Sequence, residues 1–165
     1  MIPVVSFVGK SNSGKTTVIE KLLPVLKARG LKVAVVKHAL HGFEIDRRGK
    51  DSYRHKAAGA DAVVVVSGSG MAMVKDEPFE GLGSLQSYLS DVDLIITEGF
   101  KKEETPKIEV LRSGRGGPFL CAEDPHLIAV VTDLTISPHV AAFGLDDSAA
   151  LADFIVGRLL EQANP

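Results

Sequence analysis

The chain has 165 residues, 45% of them hydrophobic and 24% charged, with 19 basic against 21 acidic side chains and one cysteine. This composition excludes a disordered chain. The near-neutral balance, with no basic run, argues against non-specific nucleic-acid or membrane-surface binding. The length suits one domain, or one domain with a small extension, whose core needs neither metal nor disulfide.

Residues 2–8 are apolar and β-branched and read as a buried first strand. After a glycine-rich loop, Val18, Ile19, Leu22, Leu23 and Leu26 keep helical spacing as far as Arg29-Gly30, a basic last turn with a glycine stop. Pro24 falls inside this helix and predicts a kink. Residues 31–36 form a second strand, and so short a strand–helix–strand run predicts a parallel pair with a right-handed crossover. Residues 37–50 have loop character, and 51–58 read as a short helix closed by Gly59. Residues 62–66 form a third strand, and 67–70 turn the chain into a hairpin strand at 71–74. A helix is expected at 82–89, then strands at 94–97, 108–111, 127–131 and 140–143. A final helix is expected over 148–160, capped by Asp146 or Asp147. The strand–helix alternation predicts an α/β fold: a three-layer, doubly wound, mostly parallel sheet with a small hairpin extension, all in one domain.

The longest apolar runs, 62–66 and 127–131, are far short of a membrane span. Residues 1–8 lack the basic segment of a signal peptide. Cys121 has no partner for an internal disulfide, which suits a reducing compartment, so a cytoplasmic protein is expected.

Gly9-x-x-x-x-Gly14-Lys15-Thr16 matches the P-loop pattern in full, between a buried strand and an amphipathic helix. Backbone N–H groups of Gly9, Ser11, Asn12, Ser13 and Gly14 would cradle phosphates, with the positive end of the following helix facing them. Lys15 would reach the β- and γ-phosphate oxygens, and the Thr16 hydroxyl would ligate Mg²⁺. Lys10 occupies the position of a partner-reaching lysine in some dimeric ATPases. Those loops continue with two glycines where this one has Ser11-Asn12, so a solvated lysine is expected.

Such sites need an acid at the end of a neighbouring strand. Asp93-Leu-Ile-Ile-Thr-Glu98-Gly99 supplies Glu98, whereas Asp93 lies at the strand's start, about 15 Å away at the strand rise. Asp46 and Asp51 are further acids, each open to reading as a metal-side ligand or as a turn or helix cap. Lys37 either adds charge beside the phosphates or is a solvated strand-end lysine. His38-x-x-His41 and His55 have no zinc-like spacing and read as polar loop histidines. Cys121 reads as a packed thiol with no activating context. Asp133 ends a late strand, where an aspartate accepts from guanine N1 and N2 in GTP-binding proteins. Without the full Asn-Lys-x-Asp pattern it reads equally as a turn cap.

Val35-Val-Lys-His38, Asp46-x-x-Gly-Lys-Asp-Ser-Tyr53, Ala58-Gly-Ala, Ile95-Ile-Thr-Glu-Gly-Phe-Lys101 and Pro106-Lys-Ile together resemble the MobB family. These are the molybdopterin-guanine dinucleotide biosynthesis proteins B, and the resemblance reaches the Leu-x-x-Phe-Ile of the last helix. It implies a homodimer that binds GTP and Mg²⁺, hydrolyses GTP weakly, and assists the guanylyltransferase that joins GMP to molybdopterin. Carried onto this chain, Gly14, Lys15, Thr16 and Thr17 hold phosphates and Mg²⁺, and Glu98 completes the acidic side. Asp46 as a metal ligand rests on fold-level analogy with dethiobiotin-synthetase-like proteins. A small-molecule kinase using ATP or GTP is the alternative reading, with Arg112-Ser-Gly-Arg115-Gly-Gly as a lid.

Overall fold

A computed structural model describes residues 2–39, 42–43, 46–114, 119–136 and 138–160. The chain forms two compact units, one running to His38 and resuming at Gln86, the other spanning Ala39–Leu85.

The first unit is built on six strands: β1 (Val4–Val8), β2 (Val33–Lys37), β5 (Leu94–Glu98), β6 (Lys107–Leu111), β7 (Leu127–Thr132) and β8 (Ala141–Phe143). Their order is β2-β5-β1-β6-β7-β8, and every neighbouring pair is parallel. All the strand ends that follow the chain direction therefore lie along one edge of the sheet. The chain leaves β1 towards β2, returns to place β5 beside β1, then crosses to β6 on β1's other side. That reversal opens the crevice where ligands of open α/β sheets sit. The first two strands are parallel as expected, but they are not neighbours, because β5 separates them.

Helix α1 (Lys15–Ala28) buries Val18, Ile19, Leu22 and Leu26 along one stripe and runs on through Pro24. Helix α4 (Ser148–Ile155) buries Leu151, Ala152 and Ile155. Both pack with Val5, Phe7, Leu94, Ile96, Ile108 and Val110 in one core, each large side chain contributing roughly 1.5–3 kcal/mol. The last helix loses its α form at Val156–Leu160, a π turn containing the weak helix former Gly157. Asp147 stands at the N-cap position of α4, yet its side chain accepts from the Gly144 N–H at 2.8 Å rather than from the helix.

Alternate strand residues point to the opposite face, where Val8, Leu127 and Val130 meet Cys121, with Phe119, Ile136 and Val140 at the margin. This face also buries charge. Lys107 pairs with Asp124 at 2.8 Å, and the carboxylate of fully buried Glu109 accepts from the N–H groups of Leu120 (2.7 Å) and Cys121 (2.9 Å). These partners are what make such burial tolerable. The lysine also holds the Asp124 carboxyl below its usual range. Burial, with Glu109 and Asp124 nearby, pushes the Cys121 thiol up to about 11, which keeps it protonated and inert near neutral pH.

The second unit holds α2 (Asp51–Ala57), the antiparallel hairpin of β3 (Ala62–Ser67) and β4 (Gly70–Lys75), and the single turn α3 (Leu82–Leu85). The helix expected over 82–89 stops after four residues, within a stretch weakened by Gly83 and Ser84. No helix among the described residues is long and apolar enough to cross a membrane.

Candidate functional site

β1 delivers the chain into the glycine-rich loop at the centre of the crevice. Gly9 has φ +144°, and a Cβ there would lie 2.5 Å from the Val110 carbonyl oxygen and 2.8 Å from Ser13 Oγ. Only glycine lets the loop pass so close to β6. The loop closes on itself through a Ser13 N–H to Lys10 carbonyl bond of 3.2 Å, with Asn12 in the left-handed region at φ +61°. Ser13 Oγ is buried without a hydrogen-bond partner among the described residues. At the N-terminus of α1, Gly14 provides no side-chain cap, and the first turn carries no acid. The N–H groups of Lys15, Thr16 and Thr17 thus begin a helix whose own first turn supplies neither cap nor acid, a start that suits an anion. The Lys15 ammonium donates to the carbonyls of Gly9 (3.0 Å) and Lys10 (2.7 Å). Burial pulls its pKa below the ordinary lysine value; Glu98 opposes that shift and Lys37 adds to it.

The acidic side comes from β5. Register places Glu98 opposite Phe7, two residues before the loop. Its Oε1 accepts from the Thr16 hydroxyl at 2.8 Å, and Lys37 Nζ stands 3.7 Å from Oε2. The backbone around Glu98 is equally constrained. Its carbonyl accepts from the His38 N–H at 3.0 Å, and the next N–H, of Gly99, donates to the Phe7 carbonyl at 3.0 Å. The turn passes through positive φ at Gly99 (+103°) and again at Phe100 (+56°). A left-handed phenylalanine costs about 1–3 kcal/mol. Burial of Phe100, and the His38 ring stacked on it at 4.9 Å, offset that strain. Behind the turn, Thr97 donates to Ser6 at 2.8 Å, and Ser6 contacts Thr105 at 2.6 Å.

The structure therefore brings Gly9, Ser13, Gly14, Lys15, Thr16 and Glu98 together, with exposed Ser11, Asn12 and Thr17 on the same loop and first turn. Lys37 joins them. Asp133 follows β7 on the same sheet edge, two strands from β1, roughly 10 Å at the usual strand spacing. Its two oxygens accept from the N–H and hydroxyl of Ser113, both at 2.6 Å, and these bonds hold its carboxyl below the usual range. Asp93 instead accepts from the Lys32 N–H at 2.7 Å, at the opposite end of β5. Asp46 and Asp51 belong to the second unit. Asp51 is the first residue of α2, 3.4 Å from Arg54, where a carboxylate complements the helix dipole. His41 and the 115–118 part of the arginine loop lie outside the described residues. Among the described residues, no group of three or more His, Cys, Asp or Glu side chains is arranged so that it could hold a metal ion.

Sequence reasoning missed three features: the His38–Phe100 stack, the Ser113 clamp on Asp133, and the buried Lys107 and Glu109. Only the last had a local signal, two charges alternating with apolar residues in one strand. A phosphate group fits the site, since α1 starts uncapped and the buried Ser13 Oγ has no hydrogen-bond partner among the described residues. Mg²⁺ fits as well, because hydroxyl and carboxylate are the hard oxygen donors it prefers.

The family model of MobB, "Molybdopterin guanine dinucleotide synthesis protein B", matches residues 4–133. The chain is 39% identical over 168 aligned positions to the molybdopterin-guanine dinucleotide biosynthesis adapter protein of Escherichia coli K12, covering 98% of this chain and 96% of that one. It is 36% identical to the protein of the same name from Haemophilus influenzae, covering 93% and 88%. Among solved structures, Bacillus subtilis MobB superposes with a TM-score of 0.75 at 29% identity, covering 96% of this chain and 98% of that one. With its P-loop fold and these relatives across almost its whole length, the chain belongs to the MobB family.

Proposed function

We propose that the protein binds GTP and Mg²⁺ and serves as an adapter in molybdopterin guanine dinucleotide assembly, hydrolysing GTP slowly and working beside a molybdopterin guanylyltransferase in the cytoplasm. The observation that carries the nucleotide part is the Thr16–Glu98 contact of 2.8 Å, set next to Lys15 at the uncapped start of α1. The adapter part is supported by the names of the relatives from Escherichia coli and Haemophilus influenzae.

In this reading the first-turn N–H groups of α1 and the loop N–H groups hold the phosphates. Lys15 exchanges the Gly9 and Lys10 carbonyls for phosphate oxygens, a stronger, charge-assisted pairing. Thr16 and Glu98 hold Mg²⁺, directly or through water, and the ion neutralises charge on the β- and γ-phosphates. Lys37, within reach of Glu98, adds positive charge at the same edge. In the same reading Asp133 selects guanine, sharing its oxygens with Ser113. Slow turnover follows from the absence of a recognisable water-orienting glutamine or arginine finger in the sequence, since a finger alone is worth about 10³–10⁵ in rate.

Glu98→Gln keeps the size and the Thr16 contact but removes the charge. It is expected to lower Mg²⁺-dependent GTP hydrolysis about tenfold or more while changing GTP affinity less, the loss of one charge-assisted contact being worth roughly 1.5–3 kcal/mol. Single-turnover hydrolysis beside calorimetric GTP titration measures both. Equal turnover in the two proteins would remove Glu98 from the metal side. Parallel titrations with ATP test the choice of base.

The homodimer has its support in the second unit. Val64 pairs with Met73 and Val66 with Met71 across the hairpin, and all four side chains are exposed, Val66 and Met71 by more than 70%. An isolated two-stranded ribbon is marginal in water, and an apolar face of this kind is ordinarily covered. A second copy of the chain is the occupant in this reading. Met71→Glu is expected to shift the protein to monomer in sedimentation velocity; an unchanged dimer would place the interface elsewhere, and a monomeric parent would remove the dimer.

A further inference from the structure

The second unit also contains a cleft of about 230 Å³ lined by Phe43, Asp46, Ser52, Tyr53, Val63 and Val74. Two valines supply an apolar floor and two aromatic residues supply stacking surface. Ser52 and Tyr53 add hydroxyls, and half-buried Asp46 adds a carboxylate. Lys56 also borders the cleft, but its ammonium donates to the Ala60 carbonyl at 2.8 Å and pairs with Asp76. Its charge is thereby compensated inside the unit, which leaves the Asp46 carboxylate as the acceptor at the cleft. One Asp46 oxygen takes the Arg47 N–H at 2.8 Å, a bond that steadies the carboxylate without using up its acceptor sites.

Asp46 stands in no cluster of three or more metal-ligating side chains among the described residues. Its neighbours in the cleft include two rings and two valines beside the hydroxyls of Ser52 and Tyr53, a lining that suits an organic ligand. A carboxylate beside aromatic rings recognises a flat heterocycle that offers two adjacent N–H donors, because both oxygens are then used in parallel. The cleft is smaller than the roughly 300–1,000 Å³ of sites for drug-sized ligands, so it suits one bicyclic ring system rather than a dinucleotide.

We propose that this cleft binds the 2-amino-4-oxo-pyrimidine edge of a bicyclic ring, with Asp46 accepting from the ring N–H and the 2-amino group. Pterin and guanine share that edge. The assignment rests on the molybdopterin guanine dinucleotide reading above, in which both rings are present, and it gives Asp46 a role in ligand recognition instead of metal binding.

The test is a fluorescence titration of the full chain, without nucleotide, using 6-hydroxymethylpterin, its 2-oxo counterpart 6-hydroxymethyllumazine, and guanosine as a competitor. Saturable pterin binding is expected, with the lumazine about tenfold weaker or worse because it replaces the amino donor with an acceptor. Asp46→Asn and Tyr53→Leu should each weaken pterin binding about tenfold, a loss set by one charged hydrogen-bond pair or one ring contact, with the thermal midpoint reporting that each variant is folded. Displacement by guanosine at lower concentration than free pterin would assign the cleft to the nucleotide base, and the reverse to the pterin. Equal pterin and lumazine affinities, no saturable binding, or full affinity in folded Asp46→Asn would overturn the proposal. So would an Asp46→Asn protein whose only defect is Mg²⁺-dependent GTP affinity. Lys15→Ala separates this idea from the nucleotide reading: loss of GTP binding with pterin binding retained supports two sites, and loss of both overturns a separate cleft. Pterin binding by a parent that never binds GTP would leave the cleft standing and sink the nucleotide reading.

Discussion

Lys15→Ala is expected to lower GTP affinity by roughly 100- to 10,000-fold, since two charge-assisted hydrogen bonds worth about 1.5–3 kcal/mol each are lost from a partly desolvated site. The same ammonium spans the Gly9 and Lys10 carbonyls, at 3.0 and 2.7 Å. Its removal frees two acceptors that water can reach, so the cost to stability should be small, about 1 kcal/mol. Calorimetric GTP titration with Mg²⁺, alongside thermal unfolding, separates the two effects. A variant that binds GTP as tightly as the parent would remove the phosphate-loop assignment altogether, whatever its stability.

Gly9→Ala acts on folding first. The added Cβ would lie 2.5 Å from the Val110 carbonyl oxygen, which belongs to a central strand with no freedom to retreat. The backbone at φ +144° is also one that alanine rarely adopts. Strain of about 1–3 kcal/mol from the conformation, added to a backbone clash of similar size, predicts a loss of roughly 3–5 kcal/mol, measured as a lower denaturant midpoint at unchanged slope. A loss below about 1 kcal/mol would show that the loop can swing away from β6, contrary to the packing seen here.

The phosphate loop was legible because its eight positions are contiguous and each has a local task. Glu98 was legible because an acid closes an apolar run before a glycine. The hairpin announced itself through the Gly-rich turn at 67–70. Other features were hidden for a common reason: their partners are distant in sequence. Ser113 lies 20 residues from Asp133, and nothing in the intervening chain marks the pair. His38 carried no local signal beyond polarity, yet it braces the turn after Glu98 from just past the end of β2. Sequence proximity left the strand order open: β1 and β2 are parallel as expected, but the later strand β5 inserts between them.

From sequence alone came the α/β class, the loop with the P-loop pattern, the acid at the end of a neighbouring strand, and the family. These are written in short apolar runs, glycine placement and contiguous motifs, which local chemistry suffices to read. Only the tertiary structure decided which strands are neighbours, and therefore that Thr16 meets Glu98 across 82 residues. It also decided that Lys107 and Glu109 are buried with partners, and that Asp46 lines a cleft of the second unit. Strand order and register depend on long-range pairing, whose energy is spread over the whole sheet and leaves no mark on any one segment.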